Sequence, residues 1–265
     1  MADPNSAARP LAGRHAVITG ASRGIGLAVV RELARLGADI TMMARDAATV
    51  AANRDEVMQV HGVKAVAIAC DVTSEASVEA AFEQAVQALG KPQILVNNAG
   101  VSGSAPFHKM TAEHWHQMMA ANLDGVFFAS RAAVRLMLGG DYGRIVTIAS
   151  ITGLKGSPYI AAYSSSKAGA VGLTRALAAE LATKNITVNA ICPGYVATDM
   201  NERTLDNIQA KTGRSREEAL AGVLKAERQA RLVTAEEVAS ATAYLCLPAA
   251  AAITGQAIAL TGGEV

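Results

Sequence analysis

Two kinds of apolar pattern alternate along most of the chain. Short, nearly continuous apolar runs predict buried strands, and longer stretches in which apolar residues recur every three or four positions predict amphipathic helices. Strands are predicted at residues 15–19, 39–44, 65–70, 94–96, 144–149, 186–191 and 257–260. Helices are predicted at residues 20–36, 47–61, 75–89, 111–138, 159–182 and 235–247. This alternation predicts an α/β fold, with a doubly wound parallel sheet of about seven strands and helices on both faces.

The amino terminus and one internal segment depart from the alternation. Residues 1–13 precede the first strand and are expected to be a disordered leader, so residues 14–265 are expected to form one domain. Within it, residues 198–232 are charged and helix-prone and have no strand pattern. Because this segment directly follows Pro193-Gly194 and the sixth strand, we expect it to lie over the carboxyl edge of the sheet as a substrate lid. The alternative is a surface helical insertion with no role beyond solubility.

A glycine-rich stretch joins the first strand to the first helix. It reads Gly20-Ala21-Ser22-Arg23-Gly24-Ile25-Gly26. Its glycines allow a tight turn, close approach of the backbone to a pyrophosphate, and close packing of helix on strand. Phosphates would then lie on the free N–H groups and the positive dipole end of the helix. The spacing differs from the GxGxxG fingerprint, yet the strand before it and the helix after it predict a dinucleotide site.

Three side chains near the fifth strand form a candidate catalytic group. Ser150 follows that strand, so its hydroxyl is expected at the carboxyl edge of the sheet, where ligands bind in open parallel sheets. Tyr163 and Lys167 are four residues apart on a predicted helix and share one face of it. An isolated tyrosine has a pKa near ~10. A neighbouring ammonium group is expected to lower the pKa of Tyr163, toward the range in which it exchanges protons efficiently.

Motifs in one order along almost the full chain resemble those of the short-chain dehydrogenase/reductase family. More narrowly, the chain is similar to the ketoreductases of fatty-acid and polyketide synthesis. The matching motifs are Thr19-Gly20 with Gly24-Ile25-Gly26, Asn97-Asn98-Ala99-Gly100, the tetrad Asn122, Ser150, Tyr163 and Lys167, and Ile186-Thr187-Val188-Asn189-Ala190 leading into Pro193-Gly194. The resemblance implies a single Rossmann-type domain, a nicotinamide dinucleotide cofactor and a lid that closes on the substrate.

The resemblance also implies a role for each matching residue. Ser150 donates a hydrogen bond to the substrate carbonyl oxygen, Tyr163 protonates that oxygen, and Lys167 stabilises the phenolate and anchors the nicotinamide ribose. The main chain of Asn122 holds a water that links the lysine to solvent. The implied cofactor contacts are the turn residues Gly20, Ser22, Arg23, Gly24, Ile25 and Gly26, then Asp71 and Val72 at the adenine, Asn98, Ala99 and Gly100 at the adenosine ribose, and Pro193, Gly194, Val196 and Thr198 at the nicotinamide.

The end of the second strand indicates which dinucleotide is preferred. A site specific for NAD needs a carboxylate about 20 residues past the turn, to accept hydrogen bonds from the ribose 2′-hydroxyl. The strand ends instead on Ala44, where relatives preferring NAD carry aspartate, and Arg45 follows. Arg45 and Arg23 could both bind a 2′-phosphate, and Asp46 fits better as the N-cap of the next helix. NADP(H) is therefore expected; the alternative is that Arg45 stacks on the adenine and both cofactors bind.

Composition and charge exclude several classes of protein. The chain has 265 residues and a net charge of +1, which gives no reason to expect nucleic acid or an acidic membrane as a partner. Three cysteines without close spacing predict buried reduced thiols. His114 and His116 point to different helix faces, so no metal site is expected. No stretch is apolar enough to span a membrane, and a cytoplasmic location is the default expectation.

These observations predict an NADP(H)-dependent enzyme that reduces a ketone, specifically a 3-oxoacyl thioester or related carbonyl compound, to a secondary alcohol. One alternative is a catabolic dehydrogenase that oxidises a secondary alcohol or a 3-hydroxyacyl-CoA with the same tetrad. Another is a catalytically silent dinucleotide sensor, although such proteins typically lose tetrad members and none is lost here. The resemblance further implies a homotetramer, assembled through the helices that carry Asn122 and Tyr163.

Overall fold

Seven parallel strands form the central sheet of the computed structural model, which describes residues 9–225 and 228–263, apart from the side chains of Ala47 and Arg203. The strands are β1 (His15–Thr19), β2 (Asp39–Ala44), β3 (Ala65–Ala69), β4 (Ile94–Asn97), β5 (Gly143–Ile148), β6 (Ile186–Pro193) and β7 (Ala257–Leu260). Their order is β3-β2-β1-β4-β5-β6-β7, and every neighbouring pair is parallel. The predicted fold class is therefore confirmed.

The strand order changes direction at β1: strands β2 and β3 lie on one side of it, and β4 to β7 lie on the other. This strand pairs with β2 on one side and with β4 on the other. In open parallel sheets, ligands bind outside the carboxyl ends of the strands at such a switch point. The glycine-rich turn that follows Thr19 and the Asn98-Ala99-Gly100 segment that follows β4 both lie at this place.

Helices cover both faces of the sheet, because each strand is buried on two sides and needs apolar partners on both. The helices are α1 (Gly24–Arg35), α2 (Ala47–His61), α3 (Glu75–Leu89), α4 (Ala112–Met119), α5 (Gly125–Met137), α6 (Ala161–Leu181), α7 (Asp199–Thr212), α8 (Arg216–Leu224) and α9 (Ala235–Cys246). One core cluster joins the sheet to α1, α2 and α9, and a second joins it to α3, α5 and α6. The predicted bounds of α2 and α3 agree with the structure.

A π-helical segment interrupts the tract that was predicted as one helix over residues 111–138. It spans Ala120–Asp124, between α4 and α5, and the N–H of Gly125 donates to the carbonyl of Ala120. Such five-residue hydrogen bonds are rare and occur often at functional sites. The segment contains Asn122, one of the predicted tetrad residues.

Two helices, α7 and α8, form most of the predicted lid. They pack on each other through Leu205, Ala219 and Val223, which are buried. The predicted lid contacts the segment after β4, where Lys211 Nζ donates to Ser104 Oγ at 3.3 Å, and its role in closing on a substrate stays a prediction. A bridge between Val196 and Val233 ties its two ends together.

The amino-terminal boundary lies earlier than predicted. Residues 1–8 of the expected leader are outside the described residues, but residues 9–13 form a turn that belongs to the domain. Leu11 is fully buried, and its N–H donates to the carbonyl of Leu36 at 3.0 Å. No other large apolar residue lies within five positions of Leu11, so there is no periodic signal and the sequence could not reveal this contact.

All three cysteines are buried and unpaired, as predicted. Among the described residues, no helix is long and apolar enough to cross a membrane. In the same part of the chain, no group of three or more histidine, cysteine, aspartate or glutamate side chains could hold a metal ion.

Candidate active site

The glycine-rich turn is shaped by contacts within the chain. Gly20 and Gly24 have φ angles of +65° and +55°, a region that residues with a β-carbon rarely adopt. A β-carbon on Gly26 would lie 2.2 Å from the carbonyl oxygen of Gly20. Two glycines therefore make the turn, and the third allows α1 to pack against it. The turn brings the first N–H groups of α1 to the carboxyl edge of the sheet.

The amino terminus of α1 lacks a side-chain cap. Its N-cap residue is Arg23, which makes no capping hydrogen bond, and no acidic residue lies in the first turn. The next two helices differ, because the side chains of Asp46 and Ser74 cap α2 and α3. Uncapped N–H groups at the positive end of the helix dipole suit an anion, so this end of α1 fits the pyrophosphate of a dinucleotide.

The segment after β4 is bonded to the glycine turn. Asn98 Nδ2 donates to the carbonyls of Thr19 (3.1 Å) and Gly20 (3.0 Å). Thr19 Oγ1 accepts from the N–H groups of Asn98 and Ala99, each at 3.1 Å. The Asn98 amide group therefore holds the turn in place. Its predicted contact with a ribose, like those of Ala99 and Gly100, stays a prediction.

Gly100 brings this segment to two predicted tetrad residues. A β-carbon on Gly100 would lie 2.8 Å from Asn122 Oδ1 and 3.5 Å from Lys167 Nζ. Only a glycine leaves room for both groups at this point.

The side chain of Asn122 is a structural clamp. It is fully buried, its Oδ1 accepts from the N–H of Val101 at 2.8 Å, and its Nδ2 donates to the carbonyl of Val101 at 3.0 Å and to Ser166 Oγ at 3.1 Å. These bonds join the π-helical segment to α6 and to the segment after β4. The side chain is thus occupied, which is consistent with a predicted role that uses only the main chain.

Ser150 lies directly after β5, where the sequence places it. The N–H and hydroxyl of Thr152 both donate to Ser150 Oγ, at 3.2 and 3.0 Å. A serine hydroxyl has two acceptor positions and one donor hydrogen. With both acceptor positions used, its own hydrogen is left for Tyr163 or for a substrate oxygen.

The pKa of Tyr163 is not lowered as the sequence analysis expected. Burial raises the pKa of this phenol above its ordinary value, and a hydrogen bond with the Ser150 side chain only opposes the rise. Lys167 Nζ lies 5.8 Å from the centroid of the tyrosine ring and donates to the carbonyl of Ile148 at 2.9 Å. The expectation was wrong because it considered the charge of the neighbour and left out the burial of both groups.

In this site the pKa of Lys167, and not that of Tyr163, is shifted toward neutral pH. Its side chain is 6% exposed, and burial lowers its pKa to about 8. The thiol of Cys192 lies nearby, and burial raises its pKa to about 11, so this thiol keeps its proton at neutral pH. The site therefore combines a protonated phenol with an ammonium group that gives up its proton readily.

The predicted adenine end lies at the carboxyl ends of β2 and β3. Arg45 is exposed and makes no hydrogen bond or ion pair with the described residues. Asp46 caps α2, as predicted, by accepting from Ala48 N (3.0 Å) and Thr49 N (3.3 Å). Asp71 accepts from the N–H and hydroxyl of Thr73, whose hydrogen bonds lower the pKa of this carboxyl. Arg45 is thus exposed at the end of β2, while the carboxylates of Asp46 and Asp71 beside it are hydrogen-bonded within the chain.

The predicted nicotinamide end follows β6. Pro193 is the last residue of that strand, and the N–H of Gly194 donates to the carbonyl of Leu260 at 2.9 Å. Val196 is bridged to Val233 through the main-chain groups of its two neighbours, so its own N–H and carbonyl point the other way. A methyl group of Thr198 lies 3.4 Å from the position that a β-carbon on Gly24 would take. The carbonyl of Val196 accepts from Thr198 Oγ1 at 3.4 Å, and the contacts of Val196 and Thr198 with a nicotinamide stay predictions.

The remaining predicted cofactor residues contact other parts of the chain. Ile25 packs on the core beneath α1, and Val72 lies against Gly125 of α5. The carbonyl of Ser22 accepts from Asn53 Nδ2 at 2.8 Å. Arg23 NH1 lies 3.4 Å from Asp199 Oδ2, so one of the two guanidinium groups considered for a 2′-phosphate faces the lid.

Sequence reasoning missed several groups that position this site. They are Thr152, the carbonyl of Ile148, Ser166 and Asn53, which bond to Ser150, Lys167, Asn122 and Ser22. Ser166 lies on α6 one residue before Lys167, but nothing in its spacing indicates a bond to the π-helical segment. A main-chain carbonyl such as that of Ile148 has no signature in sequence at all.

The geometry defines an α/β protein with a dinucleotide-type turn and a serine–tyrosine–lysine group at one sheet edge. The family model described as short chain dehydrogenase matches residues 14–209. A protein of Streptomyces violaceoruber, named as a ketoacyl reductase of granaticin polyketide synthase, is 41% identical over 268 residues, which cover 99% of this chain and 95% of that protein. The 3-oxoacyl-acyl-carrier-protein reductase of Pseudomonas aeruginosa is 38% identical over 253 residues, covering 96% and 98%.

A solved structure agrees with these sequences. The crystal structure of an actinorhodin polyketide ketoreductase variant with NADPH superimposes with a TM-score of 0.91 and 38% identity, covering 95% of this chain and 97% of that one. The chain therefore belongs to the short-chain dehydrogenase family, and it is an oxidoreductase acting on CH–OH groups.

Proposed function

We propose that the protein is an NADP(H)-dependent ketoreductase whose substrate is a 3-oxoacyl thioester or a closely related ketone. One observation carries the proposal: Ser150, Tyr163 and Lys167 meet at the carboxyl edge, beside a turn that suits a dinucleotide pyrophosphate. The names of the relatives from P. aeruginosa and S. violaceoruber support the substrate class.

The proposed reaction transfers two hydrogens to a carbonyl group. The reduced nicotinamide, when bound, supplies a hydride to the carbonyl carbon. The Ser150 hydroxyl donates a hydrogen bond to the carbonyl oxygen, on which negative charge develops. Tyr163 then gives its phenolic proton to that oxygen, which breaks the tyrosine O–H bond and forms the alcohol O–H bond. An alkoxide is far more basic than a phenolate, so a phenol with a raised pKa still protonates it.

The phenolate that remains must be stabilised and reprotonated. The ammonium group of Lys167 is buried on the same helix face and provides the compensating charge. Because burial lowers its pKa to about 8, it can also pass a proton on. The main chain at Asn122, in the π-helical segment beside the lysine, is the proposed route to solvent.

The preference for NADP(H) rests on Arg45. A guanidinium that makes no hydrogen bond or ion pair with the described residues suits a 2′-phosphate. Of the two acids near it, Asp46 caps α2 and Asp71 accepts hydrogen bonds from Thr73. Arg45→Asp is expected to reduce the ratio of kcat/KM for NADPH over NADH by roughly 10- to 100-fold, from the loss of a charged hydrogen bond. Lys64→Asp is the matched control, because it makes the same charge change at an exposed position. Lys64 directly precedes β3 and so lies at the amino edge of the sheet, away from the site. An unchanged ratio in Arg45→Asp would contradict the assignment.

The substrate class is tested with a panel of ketones and acyl thioesters, assayed by NADPH consumption. Acetoacetyl thioesters should give a higher kcat/KM than simple cyclic or aryl ketones. If the purified enzyme instead oxidised secondary alcohols or 3-hydroxyacyl-CoA more efficiently than it reduced any ketone, the catabolic alternative would replace this proposal. If no redox turnover occurred with either dinucleotide, the sensor alternative would replace it.

We also propose a cytoplasmic homotetramer. A groove of about 180 Å³ runs between α5 and α6, and its lining includes Phe127, Val134, Leu173 and Leu177. Phe127 is 42% exposed, and with the other apolar lining residues it forms a contiguous apolar surface of the kind that marks protein interfaces. Light scattering should give the mass of four chains, and Phe127→Asp should lower it. A wild-type mass of one chain would contradict the assembly.

A further inference from the structure

A buried asparagine in the lid has no partner for either of its polar atoms. Asn201 is 5% exposed, and neither Oδ1 nor Nδ2 forms a hydrogen bond with any residue that the structure describes. Buried polar side chains are nearly always hydrogen-bonded in native proteins, because an unpartnered amide loses its hydration without compensation. An amide with both ends unpartnered therefore requires an explanation.

Asn201 lies in the first turn of α7, and this end of the helix lies against the glycine turn. It is the third residue of the helix, and its N–H donates to the carbonyl of Thr198 at 2.9 Å. Thr198 lies against Gly24, and Asp199 pairs with Arg23, so the first turn of α7 sits on the turn that suits a pyrophosphate. Within this first helical turn Asp199 and Met200 are exposed, and only Asn201 faces inward.

The rest of the inward face of α7 is apolar. Leu205, one helical turn further along, is 1% exposed and packs on α8 through Ala219 and Val223. Asn201 is thus a polar residue at the start of an otherwise apolar face, at the end nearest the site. Packing alone would be served better there by leucine or methionine.

We propose that Asn201 binds the nicotinamide half of the dinucleotide. That half offers acceptors, in its phosphate and carboxamide oxygens, and donors, in its ribose hydroxyls and carboxamide N–H groups, so it can satisfy both ends of the asparagine amide. The proposed adenine end is at the carboxyl ends of β2 and β3, where Arg45 and Asp71 would hold the other half of the dinucleotide. The inference rests on the proposed function, since it assumes a nicotinamide dinucleotide.

The test measures binding of two ligands that share the adenine half. Wild type, Asn201→Leu and Asn201→Ala are titrated with NADPH and with adenosine 2′,5′-bisphosphate, which lacks the nicotinamide half. Both substitutions should raise the Kd for NADPH about tenfold, from lost hydrogen bonds, and leave the Kd for the bisphosphate unchanged. Met200→Leu, which places the same side chain at the exposed neighbouring position, should change neither Kd.

Stability of the free protein gives a second readout. Because Asn201→Leu replaces an unpartnered amide with an apolar group of similar size, its Tm without ligand should rise by about 2–4 °C. An unchanged Kd for NADPH in both Asn201 variants would overturn the proposal. So would an equal loss of affinity for both ligands, which would indicate a general structural role. If wild type itself bound no nicotinamide dinucleotide, the proposed function would fail first.

Discussion

Two tyrosines flank strand β5, and both lie beside a cation. Tyr142 precedes the strand, at the amino edge of the sheet, with the guanidinium groups of Arg14 and Arg144 at 4.2 and 4.1 Å from its ring centroid. Tyr163 lies beyond the other end, with Lys167 Nζ at 5.8 Å. Burial raises the pKa of Tyr142 to about 12 and also raises that of Tyr163. At Tyr142 the two arginines act to lower the pKa, but burial outweighs them.

The difference between the two tyrosines lies in the partner of the hydroxyl group. The hydroxyl of Tyr142 donates to the carbonyl of Cys246, at the end of α9, and is fixed in that bond. Tyr163 instead has a hydroxyl partner, Ser150, and lies at the edge of the sheet where a substrate can bind. A cation and a phenol occur at both edges. At the carboxyl edge the partner of the phenol is a second hydroxyl group, whereas at the amino edge it is a main-chain carbonyl.

Removing the two hydroxyl groups separately should show this difference most strongly. Tyr163→Phe is expected to reduce kcat by about 10³-fold, because the proton donor is lost, with the Kd for NADPH little changed. Tyr142→Phe is the matched control and should leave kcat near the wild-type value. Steady-state kinetics and dinucleotide titration check both. Comparable activity in the two variants would contradict the assignment of the acid.

The Ser150 hydroxyl should account for the next largest effect. Ser150→Ala removes a hydrogen-bond donor to the developing oxyanion, so kcat is expected to fall by about 10²-fold. Thr152→Val is an informative control, because it removes one of the two bonds that orient Ser150 and should have a smaller effect. If Ser150→Ala retained most of its turnover, the proposed donor to the carbonyl oxygen would be wrong.

The charge of Lys167 should determine how the activity falls at alkaline pH. Lys167 has a pKa lowered to about 8, so it is charged below that pH and becomes neutral above it. In the reductive direction, kcat/KM should fall by about tenfold per pH unit on the alkaline side of this value, as the charge that stabilises the phenolate is lost. Lys167→Arg, if active, should shift this limb upward, because a guanidinium keeps its proton. A pH profile that stays flat from pH 7 to about 10 would refute this role.

The hydroxyl of Tyr142 should matter for stability alone. Its loss leaves a carbonyl at the end of α9 without its partner, which is expected to cost about 1 kcal/mol and to lower the Tm by about 2–4 °C. Thermal unfolding of Tyr142→Phe checks this value. A large loss of turnover with no change in Tm would mean that the amino edge takes part in the reaction.

Local patterns predicted most of the fold. All seven strands lie within a few residues of their predicted bounds, because buried parallel strands are continuous apolar runs with clear ends. The bounds of α2 and α3 were predictable because Asp46 and Ser74 are good N-caps and Gly62 and Gly90 follow the last turns. Motif order placed Ser150, Tyr163 and Lys167 at one edge of the sheet.

Properties that depend on the whole environment could not be predicted. The raised pKa of Tyr163 comes from burial by many residues, whereas the sequence showed only one neighbouring charge. The π-helical segment at Asn122 has no local signature, since its residues are also compatible with a regular helix. Asn201 looked like one more polar residue in a charged segment, and only the fold shows that it is buried without a partner.

The protonation state of Tyr163 is the most direct test of the account. A pH titration of phenolate absorbance in the near ultraviolet, with the curve of Tyr163→Phe subtracted from that of wild type, isolates this residue. We expect no phenolate signal from Tyr163 below about pH 10, because burial holds the proton on the phenol. A phenolate signal that develops near neutral pH would show that the lysine charge outweighs burial, and would contradict the account.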